Sequence, residues 1–291
     1  MGMEFSLAVV VALVAAVFAG VKLAGMTQFF GVVIPYAAIF LFLSGFVLKV
    51  LKWGRSPVPF RIPTTAGQQW SFPWIKDSKL DNPSTKLGVV LRMALEVLLF
   101  RSLFRNSKME LHNGPKIVYQ WEKWLWLAAL LFHYSFLVIL IRHFRFFLEP
   151  VPALLHAIER ADGFLQVGLP GIYQSDIVFL AAVSYLLIRR LIIPQMKYIS
   201  LPADYFPLFL ILAIGITGVL MRYFIKVDII KVKELANGLV TFHPVSPEGI
   251  GVIFYMHLFL VCTLFAYFPF SKLMHLGGVF LSPTRNMPND S

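Results

Sequence analysis

Six apolar runs, at about Phe5 to Leu23, Phe29 to Leu51, Trp124 to Leu148, Ile177 to Ile193, Tyr205 to Ile225 and Ile250 to Leu273, govern what this chain of 291 residues can become. A helix needs about 20 mostly apolar residues to cross a hydrocarbon core of about 30 Å, and in lipid every backbone N–H and C=O must find its partner within the spanning structure. Runs of this length satisfy that demand as helices. The expected fold is all-α, an integral membrane bundle of about six transmembrane helices, with the fourth run the shortest. Trp53 closes the second run and Trp121, Trp124 and Trp126 open the third, as aromatic belts do at a headgroup boundary.

Charged residues make up 14 % of the chain, against roughly 25 % in a soluble domain. The net charge of +11 does not point to nucleic acid, because the cations lie between the apolar runs and there report orientation. Twelve Lys and Arg residues fall between Lys52 and Lys123, which places this segment and both termini on the cytoplasmic side of the cell membrane. The segment 149–176, with Glu149, Glu159, Asp162 and Asp176 against Arg160, then lies outside, and Arg189, Arg190 and Lys197 return inside. Three parts follow: a two-helix membrane segment (1–51), a cytoplasmic or interfacial segment (52–123) and a four-helix membrane domain (124–291). Arg142, Arg145, Arg222 and Lys226 sit at outer helix ends, where cations are disfavoured.

Met1 to Phe5 carries no Lys or Arg ahead of the first run, so that helix is expected to be retained and not cleaved as a signal. In the cytoplasmic segment, Leu87 to Arg105 has a helix-like alternation of apolar residues with Arg92, Glu96, Arg101 and Arg105. It is either a surface for a soluble partner or an anchor in the lipid interface. Pro57 to Gln69 is too rich in proline and turn residues for a helix. Cys262 is the single cysteine, which excludes a disulfide framework, iron–sulfur ligation and covalent haem c.

Of seven histidines, His133 and His143 fall in the third run, and His257 and His275 lie in the sixth or at its cytoplasmic end. Intramembrane ionisable groups are costly and face the bundle interior. The two helices run antiparallel, so His133 is at the depth of His275 and His143 at that of His257. Facing imidazoles suit a six-coordinate haem iron, so the four histidines are metal-ligand candidates for two haems b. Ten residues from His133 to His143 correspond to a rise of about 15 Å, whereas eighteen from His257 to His275 would give about 27 Å on a straight helix. Pro269, with Gly277 and Gly278 beyond, allows a kink that shortens the second step. Arg142 and Arg145 flank His143 and either neutralise haem propionates or reach lipid phosphate. Gly215 and Gly218 either admit a flat macrocycle or pack helices.

The histidine pairs ten apart on one helix and eighteen apart on the last resemble those of the cytochrome b (gamma) subunits of respiratory nitrate reductases, over roughly Lys123 to Leu281. That resemblance implies an inner haem held by His133 and His275 and an outer haem held by His143 and His257. The extra leading helix, the PVPFRIPTTAGQQ stretch and the segment Asp81 to Asn106 resemble the DsrM family of dihaem membrane subunits over nearly the whole chain. This second resemblance implies menaquinone as the lipid-side substrate and, as electron partner, a cytoplasmic iron–sulfur subunit of the DsrK type in a multisubunit complex of dissimilatory sulfur metabolism.

The leading expectation is therefore a membrane electron-transfer subunit between menaquinol and that partner, with the terminal chemistry on partner subunits. The alternatives are the dihaem subunit of another quinone-linked reductase, such as heterodisulfide or nitrate reductase, and, from another class, a transporter with histidines between its helices. On the outer side Glu149 and Glu159 are either proton acceptors from quinol or simply solvated.

Overall fold

A computed structural model describes residues 2–57, 70, 72–112, 114, 116–164, 171–245 and 247–288. The proline-rich stretch at 57–69 lies, beyond its first residue, outside the described residues. Among these the chain is helical apart from one hairpin: α1 (Gly2–Phe18), α2 (Ile34–Gly54), α3 (Lys86–Leu99), α4 (Arg101–Phe104), β1 (Ser107–His112), β2 (Lys116–Trp121), α5 (Lys123–His143), α6 (Ala153–Asp162), α7 (Gln174–Ile192), α8 (Pro194–Ile199), α9 (Pro202–Val219), α10 (Ile229–Val240), α11 (Val252–Tyr267), α12 (His275–Gly278) and α13 (Pro283–Asn286). His112 ends β1, and His156 lies in α6.

Turns of π-helix extend α1 (Ala19–Leu23), lead into α2 (Phe29–Val33) and extend α9 (Leu220–Ile225). Five helices, Gly2–Leu23, Phe29–Gly54, Lys123–Phe146, Pro202–Ile225 and Val252–Phe270, are long and apolar enough to cross a membrane. The chain is thus a multi-pass membrane protein of all-α class. The run expected as a sixth span forms α7, whose 19 residues are enough for a crossing of about 28 Å. It differs from the other five because it carries Asp176 in its first turn and Arg189 and Arg190 in its last.

The chain divides into two compact units, Met1–Ser44 with Leu131–Phe268, and Gly45–Leu130 with Pro269–Ser291. In the first, α9 packs against α1, α7 and α11. Its Leu210 is fully buried among Val10 of α1 and Leu260 of α11. Close approach of α7 depends on Gly215, where a Cβ would meet Phe179 Cε1 at 2.6 Å and Leu180 Cδ2 at 2.9 Å. Phe179 continues into a stack with Phe132 and Phe136 of α5, ring centroids 5.7 and 6.1 Å away. Polar contacts add to the packing: the buried Ser6 hydroxyl of α1 bonds Gly2 O at 2.8 Å and Pro202 O at 3.0 Å.

In the second unit α3 begins at Thr85, whose hydroxyl accepts from Gly88 N at 3.1 Å, and ends at Phe100 in the left-handed region, φ 50°. The buried Arg92 of α3 donates to Arg285 O, to Met287 O at 3.2 Å and to Asp81 O at 3.3 Å, which holds α13 against α3. Asp81 in turn pairs with Arg101 and, at 2.5 Å, with Arg105. β1 and β2 pair antiparallel, from Ser107 opposite Trp121 to His112 opposite Lys116.

Burial acts to raise the Asp81 carboxyl, but hydrogen bonds from Arg101, Arg105 and Ser78 outweigh it and hold the group below its ordinary value. A carboxylate depressed in this way contributes stability above its unfolded pKa of about 3.9, and the contribution is lost as the pH falls through the folded value. Asp81→Asn is therefore expected to speed amide exchange in α3 and α4 at neutral pH and to remove its acceleration below about pH 4. Exchange rates followed against pH check both effects.

The last long helix stops at Tyr267. A 3-10 turn, Phe268–Phe270, holds Pro269, Ser271 is extended (φ −120°, ψ 176°), and a second 3-10 turn, Lys272–Met274, leads to α12. The kink expected at Pro269 is a full break, because proline offers no N–H to continue the ladder. A straight-helix rise does not apply between His257 and His275.

Candidate functional site

Two of the four singled-out histidines come together in the first unit. His143 is the last residue of α5 and His257 lies in the second turn of α11. Their ring centroids are 6.3 Å apart and their planes differ by 13°. A ring nitrogen about 2 Å from a metal sets its centroid about 3 Å away, so two imidazoles on opposite sides of one iron stand about 6 Å apart.

The hydrogen bonds assign the tautomers. His143 Nδ1 is 2.7 Å from Ile139 O, and a carbonyl only accepts, so Nδ1 carries the proton. His257 Nδ1 is 3.0 Å from Thr217 Oγ1, whose own hydrogen goes to Ala213 O at 2.8 Å or Ile214 O at 3.0 Å. The threonine oxygen therefore accepts from His257 Nδ1–H. Both imidazoles present an unprotonated Nε2, with the other nitrogen fixed by a hydrogen bond, as metal-ligating histidines do. His275, in the second unit, follows the same rule, with Nδ1 3.0 Å from Lys272 O. His133, in the first unit, packs edge-on to Phe132, centroids 5.0 Å apart.

Beside His143 lies a cavity of about 510 Å³, in the size range of cofactor sites. α5 contributes Ile139, Arg142 and His143, α7 contributes Asp176 and Phe179, and α9 with its π-helical end contributes Gly215, Gly218, Arg222 and Tyr223. Gly218 matters here, since a Cβ on it would stand 3.2 Å from His257 Cε1. The donor set, the ring spacing and this glycine fit a haem b held by His143 and His257.

Arg142 does not stand free in the cavity wall. It is 6 % exposed, and its Nη1 reaches Asp162 Oδ2 at 2.6 Å, Ser175 Oγ at 2.9 Å and Asp176 Oδ1 at 3.3 Å. Asp162 also accepts from Ser175 N at 2.7 Å, and the Tyr223 hydroxyl donates to Asp176 Oδ2 at 2.5 Å while accepting from Tyr173 N at 3.1 Å. The guanidinium lies 4.0 Å from the Tyr173 ring centroid. This network ties α5 to α6 and α7, with Arg142 Nε buried outside its hydrogen bonds. Arg145 bonds Glu159 at 2.7 Å, and Glu149 pairs with Lys233. The acids expected as outer-loop charges are thus spent on specific cations.

Sequence reasoning missed Asp162, Asp176, Ser175, Tyr173, Tyr223 and Thr217. The available signal was charge complementarity: Arg142 lies within a long apolar run, where a buried cation requires acids.

The family model for the nitrate reductase gamma subunit matches residues 90–286. The chain is 46 % identical over 269 residues to the Hdr-like menaquinol oxidoreductase cytochrome b-like subunit of Archaeoglobus fulgidus, covering 90 % of this chain and 80 % of that one. It is 44 % identical over 265 residues to the protein of the same description from Archaeoglobus profundus, covering 89 % and 78 %. To the respiratory nitrate reductase 1 gamma chain of Escherichia coli it is 30 % identical over 161 residues, covering 53 % and 71 %. The stretch matched by the family model takes in all four histidines and the whole cavity wall, and the chain belongs to the nitrate reductase gamma subunit family.

Proposed function

We propose that this protein is the cytochrome b subunit of a quinone-linked oxidoreductase complex of the Hdr-like kind, carrying electrons between menaquinol and a partner subunit through two haems b. The observation that carries the reading is the pairing of His143 and His257, 6.3 Å apart with near-parallel rings and both Nε2 atoms free of protons. The descriptions of the Archaeoglobus relatives favour this reading over the narrower assignment as DsrM, the subunit of a dissimilatory sulfur complex.

A bound haem supplies one-electron carriage across the hydrocarbon core. The chain's own residues do the rest. Ile139 O and Thr217 Oγ1 fix the imidazoles in the ligating tautomer. The backbone at Gly218 leaves room beside His257. His133 and His275 are proposed as the ligands of the inner haem, on the side of the cationic segment 52–123. That segment, together with α3, is the proposed seat of a cytoplasmic iron–sulfur partner akin to DsrK, with both termini on the same side.

A reduced-minus-oxidised visible spectrum of the purified chain, with haem extracted and counted, tests the function directly. Two low-spin haems b per chain are expected. A chain expressed with ample haem that shows no haem bands would overturn the reading in favour of a transporter.

A further inference from the structure

We propose that Arg222 and Lys226 form the anion-binding end of the cavity beside His143, and that the carboxylates they receive are the propionates of the tetrapyrrole held there. The inference rests on the reading of His143 and His257 as an axial pair. From sequence alone, Arg142 and Arg145 are the candidates for this role. In the structure each already has a carboxylate, Arg142 two of them and Arg145 Glu159.

Arg222 and Lys226 line the same cavity, and among the described residues neither has an acidic partner. Both are exposed at the mouth of the cavity, so they keep their charge and are available to an anion that enters it. Arg222 is also held in place: its guanidinium lies 4.6 Å from the Tyr173 ring centroid and 5.7 Å from that of Tyr223. Both positions owe their direction to irregular backbone. Arg222 sits in the π-helical turn Leu220–Ile225, and Lys226 follows at φ 52°, a conformation that costs a side-chain-bearing residue. Strained backbone aimed at a cavity with a ligand pair at its side is what an anion clamp requires.

The same cations would also suit lipid phosphate, and the test separates the two sources. Full-length apoprotein carrying His133→Ala, so that one haem site remains, is placed in phosphatidylcholine nanodiscs and titrated with haem b or with its dimethyl ester, which lacks the two charges. The parent is expected to bind haem at least about tenfold more tightly than the diester, the scale of a charge-assisted pair. Arg222→Gln with Lys226→Gln is expected to reduce that preference to about twofold or less, and Arg222→Lys to keep part of it. Unchanged diester binding by the variants shows that the site remains folded.

Equal affinity for haem and diester in the parent, abolished in both cases by His143→Ala, would overturn the clamp while leaving the axial pair standing. A preference that survives loss of Arg222 and Lys226 but disappears with Arg142→Gln would also overturn it. Haem binding that survives His143→Ala would instead overturn the underlying reading.

Discussion

Alanine at His143 or His257 is expected to remove the same haem, lowering the count from two to one per chain, and alanine at His133 or His275 to remove the other. Alanine offers no lone pair, and a five-coordinate iron left behind is high-spin and weakly held. The two losses differ in consequence. On the proposed orientation, quinol oxidised near the His143–His257 pair would release its protons outside, because the hydrocarbon core gives charged species no free passage, while its electrons would travel inward. Without His143 or His257, a menaquinol analogue should reduce neither the remaining haem nor the clusters of the partner, with rates falling to background. Without His133 or His275, the outer haem should still be reduced and the clusters should not. Stopped-flow spectra of the assembled complex distinguish these cases, and quinol reduction of the inner haem after loss of His143 ligation would place the quinone site on the cytoplasmic side.

Arg142→Ala is expected to be the most damaging single change to folding outside the ligands. It leaves Asp162 and Asp176 buried, at 9 % and 8 % exposure, without their cation. Removing one partner of a buried pair costs about 3–5 kcal/mol, a large fraction of a total stability of about 5–15 kcal/mol. Arg142→Lys is expected to rescue only partly, since one ammonium cannot reproduce a planar guanidinium that meets Asp162, Ser175 and Asp176 and also lies on Tyr173. Replacing the acids together with the arginine by apolar or neutral residues is expected to recover much of the loss. Thermal unfolding in detergent, read as a cycle across Arg142 and Asp162, measures the coupling. A loss below about 1 kcal/mol for Arg142→Ala would show that the network is solvated.

His143 and His257 stand with ring centroids 6.3 Å apart, a nearness in line with the antiparallel order of the helices that carry them. Pro269 was readable as a kink because its chemistry is local. The hairpin at 107–121 was not anticipated, although Asn113-Gly114 between short alternating stretches is a hairpin signal and Gly114 has φ 98°. Gly215 and Gly218 were left open between packing and cofactor access; both allow a neighbouring helix to come close, Gly215 at Phe179 and Leu180 and Gly218 at His257, and both line the cavity.

The membrane class and the all-α architecture follow from run length and order, since the bilayer imposes one thickness and one hydrogen-bonding rule on every span. Which charge meets which is another matter. Arg142, Arg145, Arg222 and Lys226 are alike in sequence, all cations near the ends of apolar runs. Only the packing of α5, α6, α7 and the end of α9 gives Arg142 two aspartates and Arg145 a glutamate, and leaves Arg222 and Lys226 facing the cavity. The physical reason is that pairing in a low-dielectric setting is decided over a few ångströms between segments far apart in the chain, and no local pattern encodes that distance.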